Sequence, residues 1–153
     1  MKLLYTTLFM LMGAMSFANA ADITIFYSPS CPHCHHARDF IKKELIFEYN
    51  DLKVTEINAT VADNRKLFLD TLTKCKYTSG GVPVIVIGED CFQGYGISLN
   101  EPMRAAIESD YTDAQKQSAA ANRKELTDNH DAFVSQHMDR LNAITTDDTT
   151  KKN

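Results

Sequence analysis

Two cysteines separated by two residues, Cys31-Pro32-His33-Cys34, follow a short apolar stretch and precede a run with helical periodicity. A cysteine reacts as its thiolate, so a reactive one needs surroundings that stabilise negative charge. A helix start supplies them through its unpaired N–H groups and the positive end of its dipole. Cys34, one turn further in, can close a small ring with Cys31 and is expected to be less exposed, with the higher pKa. The chemistry this spacing predicts is thiol–disulfide exchange, with Cys31 as the sulfur that attacks or is attacked and Cys34 as the one that resolves the mixed disulfide. His33, protonated or acting as a donor, adds to the stabilisation of the Cys31 thiolate. Stabilising the reduced form makes the disulfide a stronger oxidant, so His33 tilts the expectation toward oxidation of substrates.

Two other readings of these residues compete. A Cys-x-x-Cys pair also occurs as half of a zinc site, but neither a second such pair nor a distant histidine pair completes a four-ligand set here. His33, His35 and His36 crowd the same few residues, and thiolates with imidazoles suit Cu(I) or Zn, which makes a metal-binding thiol protein the rival function. Adjacent helix positions diverge by about 100°, so His35 and His36 cannot both converge on the sulfurs, and a solvated helix edge is the favoured role for them. No organic cofactor is expected, because a cysteine pair carries the electrons itself.

The elements that must position this pair are legible on either side of it. Asp22 to Tyr27 is β-branched and aromatic, bounded by Ser28-Pro29-Ser30, and predicts a strand running into a loop. Ala37, Phe40, Ile41 and Leu45 then recur at helical spacing, placing Cys31 at the helix start. Leu52 to Ile57 predicts a second strand. Thr60 to Asp63 offers a capping box for a helix carrying Leu67, Phe68 and Leu72. Val82 to Ile87 is a nearly continuous apolar strand, Gly88-Glu89-Asp90 a turn, and Cys91 to Tyr95 a returning strand. Ser98 to Glu101 could cap a last helix bearing Met103, Ala106 and Ile107. The order predicts an α/β sandwich over 21–110 whose first two strands are parallel through a helical crossover.

Pro83 stands where a strand tolerates proline, at its beginning. An X-Pro bond is far more often trans than cis; a cis bond here would leave the Val82 backbone free to pair with an extended substrate beside Cys31. Cys75 and Cys91, 16 residues apart, predict a structural disulfide, with a second redox pair as the alternative.

The flanks differ in character. Residues 1–20 have the layout of a cleavable export signal, Met1-Lys2, an apolar run from Leu3 to Met12, and Ala18-Asn19-Ala20, which implies a periplasmic or secreted protein. Residues 111–144 lack Gly, Pro and Cys, and Leu126, His130, Phe133, Val134, His137, Met138 and Leu141 share one helical face. That face is expected to pack on the domain; the alternative is a homodimer contact. Residues 145–153 are too polar to order themselves. A formal net charge of −4 gives no support to nucleic-acid binding.

The run Phe26-Tyr27-Ser28-Pro29-Ser30-Cys31-Pro32-His33-Cys34, followed by Val82-Pro83-Val84-Ile85-Val86-Ile87, resembles the thioredoxin superfamily in its compact, glutaredoxin-type form. The resemblance implies a four-stranded mixed sheet flanked by helices, with an added C-terminal helix. It implies that Cys31 is the exposed nucleophile, Cys34 its buried partner, and Val82-Pro83 a cis-proline segment facing them. The partners implied are protein thiols or disulfides and a further redox protein. Pro32-His33 is similar to the dipeptide of DsbA-type oxidases. Glutathione-using glutaredoxins carry a basic residue before the motif and a Gly-Gly-acidic run after the last strand. Ser28-Pro29-Ser30 and Gly94-Tyr95-Gly96-Ile97-Ser98 stand there instead, which argues against glutathione.

Overall fold

A computed structural model describes residues 21–147, so the export signal expected over 1–20 and residues 148–153 lie outside the described residues. The strands are β1 (Asp22–Tyr27), β2 (Lys53–Asn58), β3 (Val84–Ile87), β4 (Asp90–Gln93) and β5 (Ile144–Asp147), ordered β4-β3-β1-β2-β5 in one sheet. β1 and β2 are parallel, with Ile25 opposite Glu56, while β3 runs antiparallel to both β1 and β4. The first four strands are the mixed α/β sheet that the resemblance implies. The fifth is additional.

Helix α1 (Pro32–Phe40) continues through a π-helical stretch, Ile41–Leu45, into α2 (Ile46–Glu48). A π stretch shifts the helical register. Here the buried side chains run Phe40, Ile41, Leu45, Ile46 and Phe47 rather than along a single 3.6-residue stripe. They join Ile23, Ile25, Val54, Ile85 and Met103 in the main core. On the opposite face, α3 (Arg65–Lys74) covers Phe26, Ile57 and Val84 with Phe68 and Leu72. Leu67, expected on that apolar face, is half exposed, because the helix turns Phe68 and Leu72 inward instead.

The expected capping boxes at Thr60 and Ser98 do not form. Before α3 the Asn58 carboxamide oxygen accepts from the Thr60 N–H at 3.0 Å and from its hydroxyl at 2.7 Å, and a 3-10 turn, Ala62–Asn64, leads into the helix. A second 3-10 turn, Ile97–Leu99, precedes α4 (Asn100–Ile107). Helix α3 ends in a Schellman motif: Tyr77 N–H reaches Leu72 O at 2.9 Å and Lys76 N–H reaches Thr73 O at 3.1 Å, with Lys76 at φ 59°.

Residues 111–144 are not one helix. Helix α5 (Asp113–Asp128) opens on a true capping box between Thr112 and Gln115 and ends at Asn129, where α6 (His130–Gln136) begins; a 3-10 segment, Met138–Ala143, follows. The break separates the face expected to be continuous. Ala119, Leu126 and Phe133 pack into the main core, whereas His130 and Met138 point to solvent.

Polar anchors do much of this docking. Glu48 is buried and receives Arg104 on both oxygens, at 2.9 and 2.5 Å, and Arg123 at 2.9 Å. Asn122 donates to Glu48 O at 2.9 Å, and Tyr49 donates to Glu108 at 2.7 Å. Arg123 and Asn122 thus hold α5 to the end of α2 by charge and hydrogen bonding, beside its apolar contacts.

The expectation that 145–153 stays unordered fails for Thr145, Thr146 and Asp147, which pair with β2 in parallel register. Polarity alone argued for disorder, but the outer edge of β2 offers a row of backbone partners, and threonine suits a pleated strand. Thr146 also donates to the buried Glu56 carboxylate at 2.9 Å, and Thr145 to Val54 O at 3.3 Å. Arg38 forks onto Glu56 at 3.0 and 2.7 Å, and Lys42 reaches it at 3.0 Å, tying α1 to the sheet.

Burial raises the Glu56 pKa, but the hydrogen bonds from Arg38, Lys42 and Thr146 outweigh it and hold the carboxyl below the usual glutamate range. A depressed carboxyl stabilises the fold fully above its unfolded pKa, and that stability is lost as the pH falls through the folded value. Acid titration of wild type should therefore show a loss of stability below about pH 4 that Glu56→Gln lacks, Gln being less stable at neutral pH. Glu48→Ala, which leaves two arginines facing an empty carboxylate site, should lower the unfolding free energy by about 3 kcal/mol in urea titration.

Candidate functional site

The site lies where the chain leaves β1. Cys31 N–H donates to Ser28 O at 3.1 Å, closing a turn, and Cys31 takes the N-cap position of α1 with extended backbone at φ −93° and ψ 112°. Pro32 follows at the first helical position, where its missing N–H costs nothing and its φ is already helical. The Cys34 N–H donates to Cys31 Sγ at 3.1 Å, so the sulfur does what a capping serine or aspartate oxygen does elsewhere. Negative charge on that sulfur is favoured by the same donor and by the helix dipole.

The two sulfurs are unequal. Cys31 is partly exposed, whereas Cys34 is 1% exposed. Their Cα atoms are 5.2 Å apart, within disulfide range, and the Sγ atoms are 2.35 Å apart.

Across from them the Val82–Pro83 peptide bond is cis, as the resemblance implied against the ordinary preference for trans. Pro83 is buried at the start of β3, and the Val82 carbonyl oxygen lies 3.6 Å from Cys31 Sγ. Residues 51 positions apart in sequence are thereby in contact at the Cys31 sulfur.

His33 is exposed and lines a groove of about 470 Å³ beside the pair, together with His36, Phe40, Tyr95, Ile97 and Asn100. Ile97 stands 85% exposed on its rim. His35 is not a free helix edge: its Nε2 lies 2.8 Å from the Pro29 carbonyl, which can only accept, so Nε2 carries the proton. His35 thus braces the loop that delivers Cys31, a role hidden in a sequence that shows only three clustered histidines. No group of three His, Cys, Asp or Glu side chains among the described residues converges to hold a metal ion.

Cys75 and Cys91 are joined, with Cα atoms 5.8 Å apart and Sγ atoms 2.02 Å apart. The bond ties the end of α3 to β4. Sequence reading missed Glu56 altogether. The available signal was its parity: in Lys53-Val54-Thr55-Glu56 the glutamate shares the inward face with Val54.

No family model matches the chain, and no curated protein matches it. Among solved structures it is similar to a glutaredoxin from Archaeoglobus fulgidus, at 21% identity over 57% of this chain and 86% of that one, with a TM-score of 0.43. It is also similar to a protein from Neisseria meningitidis described as a thioredoxin, at 15% identity over 63% of this chain and 79% of that one, with a TM-score of 0.38.

Replacing Cys75 and Cys91 by serine should cost about 3 kcal/mol of stability, measured by denaturant titration, since the bond closes a loop of near 15 residues. The Cys31–Cys34 pair should still cycle between dithiol and disulfide in the same variant. Its failure to do so would give the second pair a redox rather than a structural role.

Proposed function

We propose that the chain is an exported thiol–disulfide oxidoreductase that exchanges disulfides with protein thiols through Cys31 and Cys34, working chiefly as an oxidase. The observation that carries this reading is the placement of Cys31 Sγ, partly exposed, accepting an N–H at a helix start and 3.6 Å from the Val82 carbonyl. An inert bridge has no use for a helix N-terminus or for a half-buried, half-exposed pair of sulfurs.

In the oxidising direction a substrate thiolate attacks Cys31 Sγ, and the electron pair of the S–S bond leaves with Cys34. A second substrate thiolate then attacks the substrate sulfur of the mixed disulfide. The substrate leaves with a disulfide, and Cys31 departs as a thiolate stabilised by the Cys34 N–H and the helix dipole. Two electrons pass to the pair, and the buried Cys34 takes up a proton. The Val82 backbone can hold an extended substrate segment alongside, as an added strand is held. His33 at the second helical position favours the Cys31 thiolate and with it the oxidase direction. Export is supported by the pattern of residues 1–20. A redox protein that reoxidises the pair is required for turnover. Glutathione is disfavoured in that role by the absence of a basic residue before the motif.

The test is exchange with a reduced peptide bearing two cysteines. Cys31→Ser should abolish peptide oxidation, and reduced Cys34→Ser, given a disulfide-linked pair of peptides, should accumulate a covalent peptide adduct at Cys31 with release of the other peptide thiol, seen by intact mass. The reduction potential of the wild-type pair should lie well above the roughly −270 mV of thioredoxin, and His33→Ala should lower it. A thioredoxin-like potential would reverse the direction assigned here.

A further inference from the structure

We propose that Gln93 is the positioning residue that holds the substrate-pairing segment, Val82 above all, against Cys31; this rests on the exchange function proposed above. The Gln93 carboxamide nitrogen donates both of its hydrogens, to Ser79 O at 2.8 Å and to Gly81 O at 3.1 Å. The segment between them is Ser79-Gly80-Gly81, exposed throughout, and its two glycines bring no side chain to anchor it. At one end the chain is fixed by the Schellman turn at Tyr77, and at the other by Gly94 N–H donating to Pro83 O at 2.8 Å. Between those points the Gln93 fork holds the backbone of Ser79 and Gly81, while the Val82 side chain packs against the cluster of Phe26, Ile57, Phe68, Leu72 and Val84 and its carbonyl meets Cys31 Sγ.

The geometry behind this is simple. Gln93 pairs with Val84 in the sheet, one residue beyond Pro83, and shares a face of β4 with Cys91. One face of a short edge strand therefore grips both ends of the same crossing: Cys91 binds its start covalently at Cys75, and Gln93 binds its end at Ser79 and Gly81. Gln93 touches neither sulfur, so it acts through Val82. It bears on how an extended backbone is received and leaves the chemistry of the pair alone.

The experiment measures KM and kcat for oxidation of a dithiol peptide, the rate with dithiothreitol, and the reduction potential, in wild type, Gln93→Leu and Gln93→Glu. Loss of two hydrogen bonds should raise the peptide KM about five- to tenfold in Gln93→Leu. The increase should be larger in Gln93→Glu, whose carboxylate faces two carbonyl oxygens. Both variants should keep kcat, the potential, and the rate with dithiothreitol, which has no peptide backbone to pair. An unchanged peptide KM in an active protein would overturn the role of Gln93 alone. A parallel fall in the peptide and dithiothreitol rates together with the melting temperature would overturn it too, marking a merely structural residue. Absence of exchange in wild type would overturn both this role and the function on which it rests.

Discussion

The sulfur of Cys31 caps its own helix, and the remaining architecture serves to keep that cap where it is. An N-cap needs an acceptor for the N–H groups of the first turn, normally an oxygen of Ser, Thr, Asp or Asn. Here the acceptor is Cys31 Sγ, receiving the Cys34 N–H at 3.1 Å. The acceptor grows stronger when the sulfur carries charge, so helix stability and thiolate stability are one interaction seen from two sides. Helix α1 must then be held rigidly, since a slip of the helix would carry the capped sulfur away from the Val82 carbonyl.

Two buried carboxylates supply that rigidity at separate points along the continuous helix. Midway along it, Arg38 and Lys42 reach down to Glu56 in the sheet, with the Arg38 guanidinium also 4.0 Å from the centre of the Tyr27 ring. At its far end, Glu48 gathers Arg104 and Arg123 from two other helices. Each carboxylate would be costly to bury unpaired; each has at least two cationic partners and no unsatisfied polar side-chain atom is buried among the described residues. The apolar core determines that α1 packs on the sheet, and these ion clusters determine at which height.

Features carried by local pattern were legible in the sequence. The limits of β1 and the burial of Ala37, Phe40, Ile41 and Leu45 follow from alternation and helical spacing, and the inequality of Cys31 and Cys34 follows from their positions in one turn. The cis bond before Pro83 was legible only through resemblance, since local energetics favour trans. What escaped depended on partners remote in sequence. Thr146 looked like part of a polar tail because its Glu56 partner is 90 residues away. No proline or glycine near Asn129 announces a helix break, and Gln93 looked like any polar residue inside a hairpin strand.

The strand formed by Ile144–Asp147 also decides which backbone stands at the margin of the sheet. Without it, β2 would present six residues of backbone at the sheet margin as a template on which a second chain could add. β5 replaces that margin by four residues, three of them exposed and polar, ending in the negative charge of Asp147. A short, hydrophilic border of this kind discourages edge-to-edge stacking. The return of the chain to β2 therefore covers a strand edge as well as seating Glu56.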